Sequence, residues 1–363
     1  MPTIYLAVTT DLSFDQRMIR ICGSLAKAGY EVILVGRKKS NSAPLLPTPY
    51  YQKRLNCFFE KGKLFYAEYN TRLFFYLLFK RMDAICAVDL DTILPCYYIS
   101  KLKKIKNIFD AHEYFSEQKE IVTRPRIYRI WRWIEKKYMP RFKSGYTVSL
   151  SIANAFREKY AVSYEVIRNL PLPKPDNSGT ATGKKIVLYQ GAINEARGLE
   201  YLIPAMRHID AKLHLYGDGN FVMQANEIIR LNNLQEKVFI KNQLLPEELD
   251  NITQQAYIGI NLVENTGFNQ YYSLANKFFD YIQHGIPQVS MNYPEYSRIN
   301  EQYHIALLIG ELNVPVVEKA ITRLLTDEKL YTELKNNCLK AKKELNWQEE
   351  EKKLLTFYRN ILG

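Results

Sequence analysis

The chain has 363 residues, of which 47% are hydrophobic and 24% charged, a composition typical of a globular protein large enough for two domains. The longest uncharged apolar run, LFFYLLF at 73–79, is far shorter than the roughly 20 residues that span a bilayer, which excludes a membrane-spanning protein. The formal net charge of +12 is confined to the first half: residues 1–165 hold 28 Lys and Arg against 15 Asp and Glu, whereas residues 166–363 hold 22 against 23.

The first half alternates strands and helices. Residues 1–3 lead directly into an apolar strand without the features of a signal peptide, so we expect the first strand of a mature cytosolic protein. The predicted strands are 4–9, 31–36, 84–88, 107–110, 146–150 and 165–168, and the predicted helices are 15–28, 72–82, 94–101 and 151–160, the last with Ser151 as its N-cap. The opening strand-helix-strand of about thirty residues is the unit of doubly wound parallel sheets. His112 follows the strand 107–110, at the end where such sheets bind ligands.

The segment 119–143 is the main carrier of the positive charge. It holds nine Lys and Arg, interleaved with Trp, Ile and Tyr, against Glu120 and Glu135. One interpretation is a basic helix packed on the core, and the other is a helix that also contacts anionic lipid. The charge asymmetry favours the lipid contact, for which the predicted side chains are Arg126, Arg129, Trp131, Arg132, Lys136 and Lys137.

The second half repeats the alternation after a Pro-, Gly- and Ser-rich linker at 169–183. The predicted strands are 185–190, 212–216, 238–240, 258–263, 288–290 and 306–309, and the predicted helices are 199–208, 220–231, 246–255, 274–283, 314–325 and 327–345. This pattern predicts an α/β protein with two doubly wound Rossmann-like domains facing each other across a cleft.

The stretch 264–290 places a polar, aromatic loop before the helix 274–283. Lys277 and Asp280 are three residues apart, so they lie on one side of that helix, where both can contact one ligand. The helix start also offers unpaired amides and the positive end of the dipole to a phosphate. The alternative is a solvated Lys277–Asp280 pair on an ordinary amphipathic helix.

Several common active-site motifs are missing. The sequence contains no GxxxxGK[ST], HExxH, CxxC or GxSxG pattern, and the five cysteines are expected to be reduced thiols. The first βα turn, TTDLSFDQR, has no glycine, and Gly217-Asp218-Gly219 lacks the third glycine of a dinucleotide fingerprint and is typical of a turn. The remaining polar groups are Arg197 and Lys277 for a diphosphate and Asp280 for a hydroxylated ligand, which together suit a nucleotide sugar.

Taken in order, several motifs resemble those of the GT-B fold glycosyltransferases, most of all the retaining glycosyltransferase family 4, also described as group 1. They are TTDLSFDQRMIRICGSLAKAGYEVILVGR at the start, FDAHEYF around His112, VIRNLP before the linker, LYQGAINEARGLEYLIPAM, LHLYGDG, LANKFFDYIQHGIPQVS, and a final helix beginning near Trp347. The resemblance covers nearly the whole chain.

The resemblance implies a first domain over 1–168 that faces acceptor and membrane, a donor-binding domain over 184–345, and a terminal helix, 346–363, that returns to the first domain. It implies that His112 lies near the transferred sugar, that Arg197 and Lys277 contact the donor diphosphate, and that Asp280 holds the ribose. The other implied donor-binding residues are Gly191, Gly217, Ser273, Leu274, Ala275 and Asn276. Asp11, Asp15 and Arg17 are assigned to acceptor or loop roles.

Three positions depart from the family pattern. Asp280 stands where the family has the second glutamate of its E-x7-E motif, and Tyr272 stands where the first glutamate is expected. Ala192 replaces the arginine that often follows the glycine at 191. These changes concern donor affinity and the recognition of sugar hydroxyls.

The expected function is sugar transfer from a nucleotide-diphosphate sugar to a cell-surface glycan or lipid-linked acceptor, with retention of configuration. The nucleotide sugar is a co-substrate, and we expect no cofactor, no metal and no nucleic-acid partner. The expected location is the cytoplasm, peripherally at the inner face of the cell membrane. The alternatives are a sugar-nucleotide epimerase or hydrolase on the same fold, and a non-catalytic protein that binds glycan or anionic lipid.

Overall fold

A computed structural model describes residues 1–13, 15–175 and 185–363, and the chain divides into two compact units. The first unit comprises Met1–Asn169 and Glu349–Gly363, and the second comprises Leu170–Gln348. Each unit contains one parallel β-sheet with helices in the connections. The predicted doubly wound α/β class is therefore confirmed.

The first unit is built on a seven-stranded sheet. Its strands are β1 (Thr3–Ala7), β2 (Glu31–Lys38), β3 (Tyr51–Asn56), β4 (Ala84–Val88), β5 (Lys106–Ala111), β6 (Ser144–Thr147) and β7 (Glu165–Val166). Its helices before the linker are α1 (Gln16–Lys27), α2 (Gly62–Leu78), α3 (Ile93–Lys103), α4 (Lys119–Val122), α5 (Pro125–Tyr138) and α6 (Leu150–Tyr160). The strand order is β3-β2-β1-β4-β5-β6-β7, and the central strand β4, AICAV, is apolar and buried throughout, as is typical of parallel strands covered on both faces.

The second unit is built on a six-stranded sheet. Its strands are β8 (Ile186–Gln190), β9 (Lys212–Tyr216), β10 (Val238–Lys241), β11 (Ile258–Asn261), β12 (Gln288–Met291) and β13 (Ala306–Ile309). Its helices are α7 (Leu199–Ala205), α8 (Val222–Leu231), α9 (Pro246–Gln254), α10 (Phe268–Tyr271), α11 (Asn276–Gln283), α12 (Pro294–Tyr303), α13 (Val314–Thr326) and α14 (Glu328–Ala341), and the chain ends with α15 (Trp347–Leu362), which passes from the second unit to the first. The order β10-β9-β8-β11-β12-β13 reverses between β8 and β11, and ligands of such sheets bind outside the carboxyl ends of the strands at that reversal.

The last helix, α15, packs into the first unit from Glu349 onwards. Tyr358 is fully buried, and its hydroxyl lies 3.3 Å from that of Tyr146 on β6. Glu350 is also buried, accepts a 2.8 Å hydrogen bond from the backbone N–H of Arg168, and pairs with its guanidinium at 3.3 Å. These contacts fix the helix where β7 ends.

Arg17 does not lie in a loop, in contrast to the role expected from the sequence. It lies in α1 and is buried, and its guanidinium pairs with the buried Asp110 of β5 at 2.6 Å and donates to the Ile167 carbonyl at 3.3 Å. A buried charge needs a partner of opposite sign and hydrogen bonds for its remaining donors. Arg17 therefore joins α1, β5 and the end of β7 inside the first unit.

The structure corrects several predicted elements. β3 and α12 were not predicted, because β3 reads YQKRLN with only Leu55 buried and α12 is polar overall. Helix α2 begins ten residues before the predicted start at 72. Ser149, not Ser151, caps α6 by accepting the N–H of Ile152 at 3.3 Å. Of the predicted linker, residues 176–183 lie outside the described residues, as does Phe14 of the predicted loop 10–14.

Candidate functional site

Two loops at the carboxyl ends of β8 and β9 pack backbone against backbone. Gly217 has φ +154°, and a Cβ built there would lie 2.0 Å from the Gly191 carbonyl oxygen. The Gly191 N–H donates to the Tyr216 carbonyl at 3.0 Å, and the Ile193 N–H donates to Asp218 at 2.9 Å. Only glycine fits at 217, and its packing fixes the loop that begins at Gly191. The structure thus brings together two of the predicted donor-binding residues.

Lys277 extends from the first turn of α11 to this glycine loop. Its Nζ lies 3.5 Å from the centre of the Tyr189 ring, and a Cβ on Gly191 would lie 3.8 Å from it. Among the described residues this buried Nζ has no hydrogen-bond partner. The expected alternative of a solvated Lys277–Asp280 pair is therefore wrong. The aromatic face supplies a cation–π contact, which leaves the ammonium donors for a ligand.

The electrostatics of Lys277 favour an anion. Burial lowers the pKa of its ammonium well below the ordinary 10.5, the positive charge of Arg197 lowers it further, and Asp280 opposes the shift. Arg197 is itself exposed, in the loop that leads to α7. Lys277 and Arg197 are two positive charges with little negative charge around them. An anion that binds between or beside two such cations stabilises their charged forms.

The start of α11 adds backbone donors. Ala275 begins the helix and has no polar side chain to cap it, and its own N–H donates to the Tyr296 hydroxyl at 3.0 Å. The neighbouring Asn276 is exposed. The positive end of the helix dipole therefore lies in the same turn as Lys277, where it also favours a negative ligand.

Asp280 lies one turn further along α11 and is held from β8. The Gln190 side-chain amide donates to Asp280 Oδ2 at 3.0 Å, and the Thr253 hydroxyl of α9 donates to Gln190 Oε1 at 2.7 Å. Asp280 is partly exposed, whereas Gln190 and Thr253 are buried. A carboxylate held in this way keeps acceptor capacity for the hydroxyl groups of a ligand.

The loop before α11 is aromatic and folded on itself. The Tyr272 ring lies 4.4 Å from Phe268 and 5.0 Å from Tyr271, measured between ring centres. The Ser273 hydroxyl donates to the Gln270 carbonyl at 2.8 Å, and Leu274 packs against the hydrophobic core. Ser273 and Leu274 thus shape the entry to α11 from within the unit.

In the first unit, His112 lies beside two carboxylates. Its backbone N–H donates to Asp89 Oδ1 at 2.9 Å, and possible metal-ligand atoms of Asp89, His112 and Glu113 all lie within 4.8 Å of one another. Burial and the charges of Arg17 and Arg20 lower the pKa of His112 to about 3. The imidazole is therefore neutral at physiological pH, and it can accept or donate one hydrogen bond or bind a metal ion.

The two predicted acidic loop residues have local partners. Asp15 is the N-cap of α1 and accepts the Met18 N–H at 3.1 Å and the Thr10 hydroxyl at 3.0 Å. Asp11 accepts the Ser13 N–H at 3.1 Å. Both side chains are partly exposed, so these contacts organise the β1–α1 turn.

The exposed face of α5 differs from the predicted one. The Trp131 ring packs inward, 4.9 Å from Phe115 and 5.3 Å from Tyr66, and Arg132 pairs with Glu135 at 2.8 Å. The exposed face comprises Arg126, Arg129, Ile130, Trp133, Lys136 and Lys137. Trp131 and Arg132 were wrongly placed on it, because apolar residues surround this helix and the spacing alone does not fix which ones face the core.

The sequence analysis did not identify the residues that contact the predicted site residues, such as Gln190 beside Asp280 and Asp89 beside His112. Gln190 ends the apolar run IVLYQ directly before Gly191, and a polar residue at that point of a buried strand was an available signal. Asp89 likewise follows the apolar strand AICAV. No local signal marks Tyr189 or Thr253, whose roles depend on contacts with α11 and β8.

The burial of Lys277 has a measurable consequence for stability. The pKa of the Lys277 ammonium is lower in the folded than in the unfolded protein. Between these two pKa values the unfolded state therefore binds more protons than the folded state. The free energy of unfolding should rise with pH in this window, which ends near the ordinary pKa of 10.5. We expect Lys277→Met to remove this rise and to stabilise the unliganded protein at neutral pH. Denaturant unfolding of both proteins across pH measures it; the exposed Lys319→Met is the control, and an unchanged pH dependence in Lys277→Met would contradict the assignment.

Comparisons with known proteins agree with this architecture. Residues 173–341 match the family model described as glycosyl transferases group 1. A comparison with curated proteins finds no match. Among solved structures, sucrose-phosphate synthase from Thermosynechococcus elongatus is 16% identical with a TM-score of 0.81, and 99% of each chain is covered.

Two further solved structures are similar over the same length. Anabaena HepE in complex with UDP-glucose is 10% identical with a TM-score of 0.77, covering 99% of this chain and 100% of that one. WaaG, a glycosyltransferase involved in lipopolysaccharide biosynthesis, is 13% identical with a TM-score of 0.75, covering 98% and 99%. The chain has the GT-B fold, and somewhat less than half of it, residues 173–341, matches the model of the group 1 glycosyl transferases.

Proposed function

We propose that the protein is a retaining glycosyltransferase that moves a sugar from a nucleotide-diphosphate sugar to a cell-surface glycan or a lipid-linked acceptor. The observation that carries this proposal is the buried Lys277 ammonium, which has no hydrogen-bond partner among the described residues and lies at the start of α11 beside the Gly191 loop. A diphosphate supplies the negative charge and the acceptor oxygens that this ammonium lacks.

The same groups suit the chemistry of transfer. Negative charge accumulates on the diphosphate as the bond to the sugar breaks, and Lys277, Arg197 and the start of α11 would stabilise that charge. Asp280 would accept hydrogen bonds from the ribose hydroxyls. The HepE structures contain UDP, UDP and glucose, or UDP-glucose, so uridine nucleotides are the first donors to test.

We assign to His112 the role that the family resemblance implies, near the transferred sugar. Its lowered pKa means that the ring is neutral and cannot serve as a general acid near pH 7. A neutral imidazole can hydrogen-bond a sugar hydroxyl. We therefore assign His112 to sugar positioning, and the departing phosphate, not a side-chain base, would assist the acceptor on the same face.

Removal of either cation should abolish transfer without unfolding the protein. We expect Lys277→Ala and Arg197→Ala each to lower kcat by roughly 10²- to 10³-fold, as removal of one group that stabilises transition-state charge does. Turnover of a panel of nucleotide sugars, chosen first by thermal shift, measures this. Lys319→Ala and Arg323→Ala, on exposed positions of α13, are the matched controls.

The same assay separates the alternative functions. A hydrolase would release free sugar without an acceptor, and an epimerase would return an isomerised nucleotide sugar. A non-catalytic binding protein would bind donor or vesicles without turnover of any nucleotide sugar. Full transfer by Lys277→Ala and Arg197→Ala would contradict the donor site described above.

We also propose that transfer needs no metal ion, because the two cations and the helix start take the place of one. Activity should therefore persist within about twofold in EDTA, an estimate that allows for nonspecific effects of the chelator. Among the described residues, Asp89, His112 and Glu113 form one group that could hold a metal ion, so EDTA has a site on which it could act. A metal requirement would be shown if EDTA abolished turnover, if manganese then restored it in the unchanged protein, and if manganese failed to restore it in Glu113→Gln.

The exposed face of α5 supports a peripheral contact with anionic membrane at the cytoplasmic side. Ile130 and Trp133 are 59% and 56% exposed and lie among the basic side chains of that face. Helix α3 lies beside α5, because the Tyr98 hydroxyl of α3 is 2.7 Å from the Tyr138 hydroxyl of α5. Leu102, in the last turn of α3, is also exposed. No helix in the described part of the chain has both the length and the apolar composition of a membrane span. Basic residues around exposed apolar ones are typical of proteins that bind at the lipid headgroups.

Charge reversal on α5 should weaken vesicle binding. Each basic residue near an anionic surface contributes roughly 1 kcal/mol, so Lys136→Glu with Lys137→Glu should lower binding to phosphatidylserine vesicles by about tenfold or more. Trp133→Ala should also weaken it, with less dependence on salt. Co-sedimentation measures both, and Lys319→Glu with Lys329→Glu is the charge-matched control. Equal loss in the control, or unchanged binding in the α5 variants, would argue against this surface.

A further inference from the structure

A buried chain of hydrogen bonds leads from α9 through β8 to Asp280. The Thr253 hydroxyl oxygen lies 2.7 Å from Gln190 Oε1 and 2.7 Å from the Leu249 carbonyl oxygen, so its single proton can be donated to either, and Gln190 Nε2 donates to Asp280 Oδ2 at 3.0 Å. Gln190 is 4% exposed and Thr253 is 1% exposed. Gln190 pairs through its backbone with Tyr216 of β9, which leaves its side-chain amide for the contacts with Thr253 and Asp280.

The direction of each bond in this chain is fixed by chemistry. A carboxylate only accepts, so Gln190 must present its NH₂ group to Asp280. An amide can flip by 180°, which would place its oxygen against the carboxylate and repel it. With the amide in the orientation that the carboxylate requires, its oxygen lies beside Thr253, whose hydroxyl can donate to it. Thr253 therefore favours this orientation of Gln190, and Gln190 in turn holds Asp280 in position.

We propose that Gln190 and Thr253 are positioning residues for nucleotide binding, which act through Asp280 on the ribose hydroxyls. This inference rests on the proposed donor site. The side chain of Asp280 is short, with one methylene between the backbone of α11 and the carboxylate. The Gln190 amide of β8 donates to one of its two oxygens. This contact fixes the direction in which the carboxylate is presented to a ligand. The role belongs to the second unit alone, because β8, α9 and α11 all lie within it.

The test compares nucleoside diphosphates with and without ribose hydroxyls. Calorimetry is run with the tightest binder among UDP, ADP, GDP and CDP, and with its 2′,3′-dideoxy analogue. We expect Gln190→Leu to weaken the ribonucleotide by roughly tenfold, as loss of a hydrogen bond to a charged group does, and to leave the dideoxy analogue within about twofold. Asp280→Ala should show the same selectivity, and the two changes combined should weaken binding no further than Asp280→Ala alone.

Thr253 supplies a second variant in case Gln190→Leu destabilises the unit. Thr253→Val keeps the volume and removes the hydroxyl, so it should reproduce a smaller ribose-selective loss, and Thr253→Ser should restore binding. Gln302→Leu, on the exposed face of α12, is the control for a glutamine-to-leucine change. A general disturbance of the fold would weaken both nucleotides equally.

The outcomes separate this inference from the proposed function. Selective loss for the ribonucleotide supports the positioning role. Equal loss for both nucleotides, or unchanged binding in both Gln190→Leu and Thr253→Val, overturns it while the donor site stands. Failure of the unchanged protein to bind any of the four ribonucleotides overturns the proposed function, and this inference with it.

Discussion

The organising interaction of the second unit is an ammonium group held against an aromatic ring. Lys277 Nζ lies over Tyr189 in a position that water does not reach, and no described side chain or carbonyl accepts its hydrogen bonds. A buried, unsatisfied charge destabilises a folded protein, which shifts the pKa of the group toward the neutral form. Such an arrangement persists where a ligand completes it, and the surrounding elements are arranged for that ligand.

Three elements determine where that ammonium lies. β8 carries Tyr189 and ends at Gln190, the contact between Gly191 and Gly217 fixes the following loop, and α11 begins at Asn276 with an uncapped first turn. The reversal of strand order between β8 and β11 opens the sheet at this edge. The position proposed for the ligand therefore follows from topology, and the proposal of a diphosphate rests on the side chains placed there.

The sequence predicted the alternation of elements well because buried parallel strands are apolar runs and the helices between them have a helical period. It placed Lys277 and Asp280 together on one helix, as the structure does, because their spacing is a local property. It did not predict Gln190 or Thr253, whose roles depend on three elements that are distant in the chain and meet only in the fold. It also placed Trp131 on the exposed face instead of Trp133, since a helix with apolar residues on several sides does not reveal its orientation.

Net charge proved a poor guide to the local electrostatics of either unit. The first half carries the whole positive excess, yet after β4 it gathers the half-buried Asp89 and the buried Asp91, and burial raises the pKa of Asp91 to about 7. The second half is nearly neutral, yet it contains the one ammonium group described as buried without a hydrogen-bond partner. The excess charge of the first half lies on exposed side chains, such as those of α5, where it acts on large partners at long range. The chemistry of a small ligand is instead determined by the few charges that the fold removes from water, because only there does a single unpaired group cost enough free energy to select what binds.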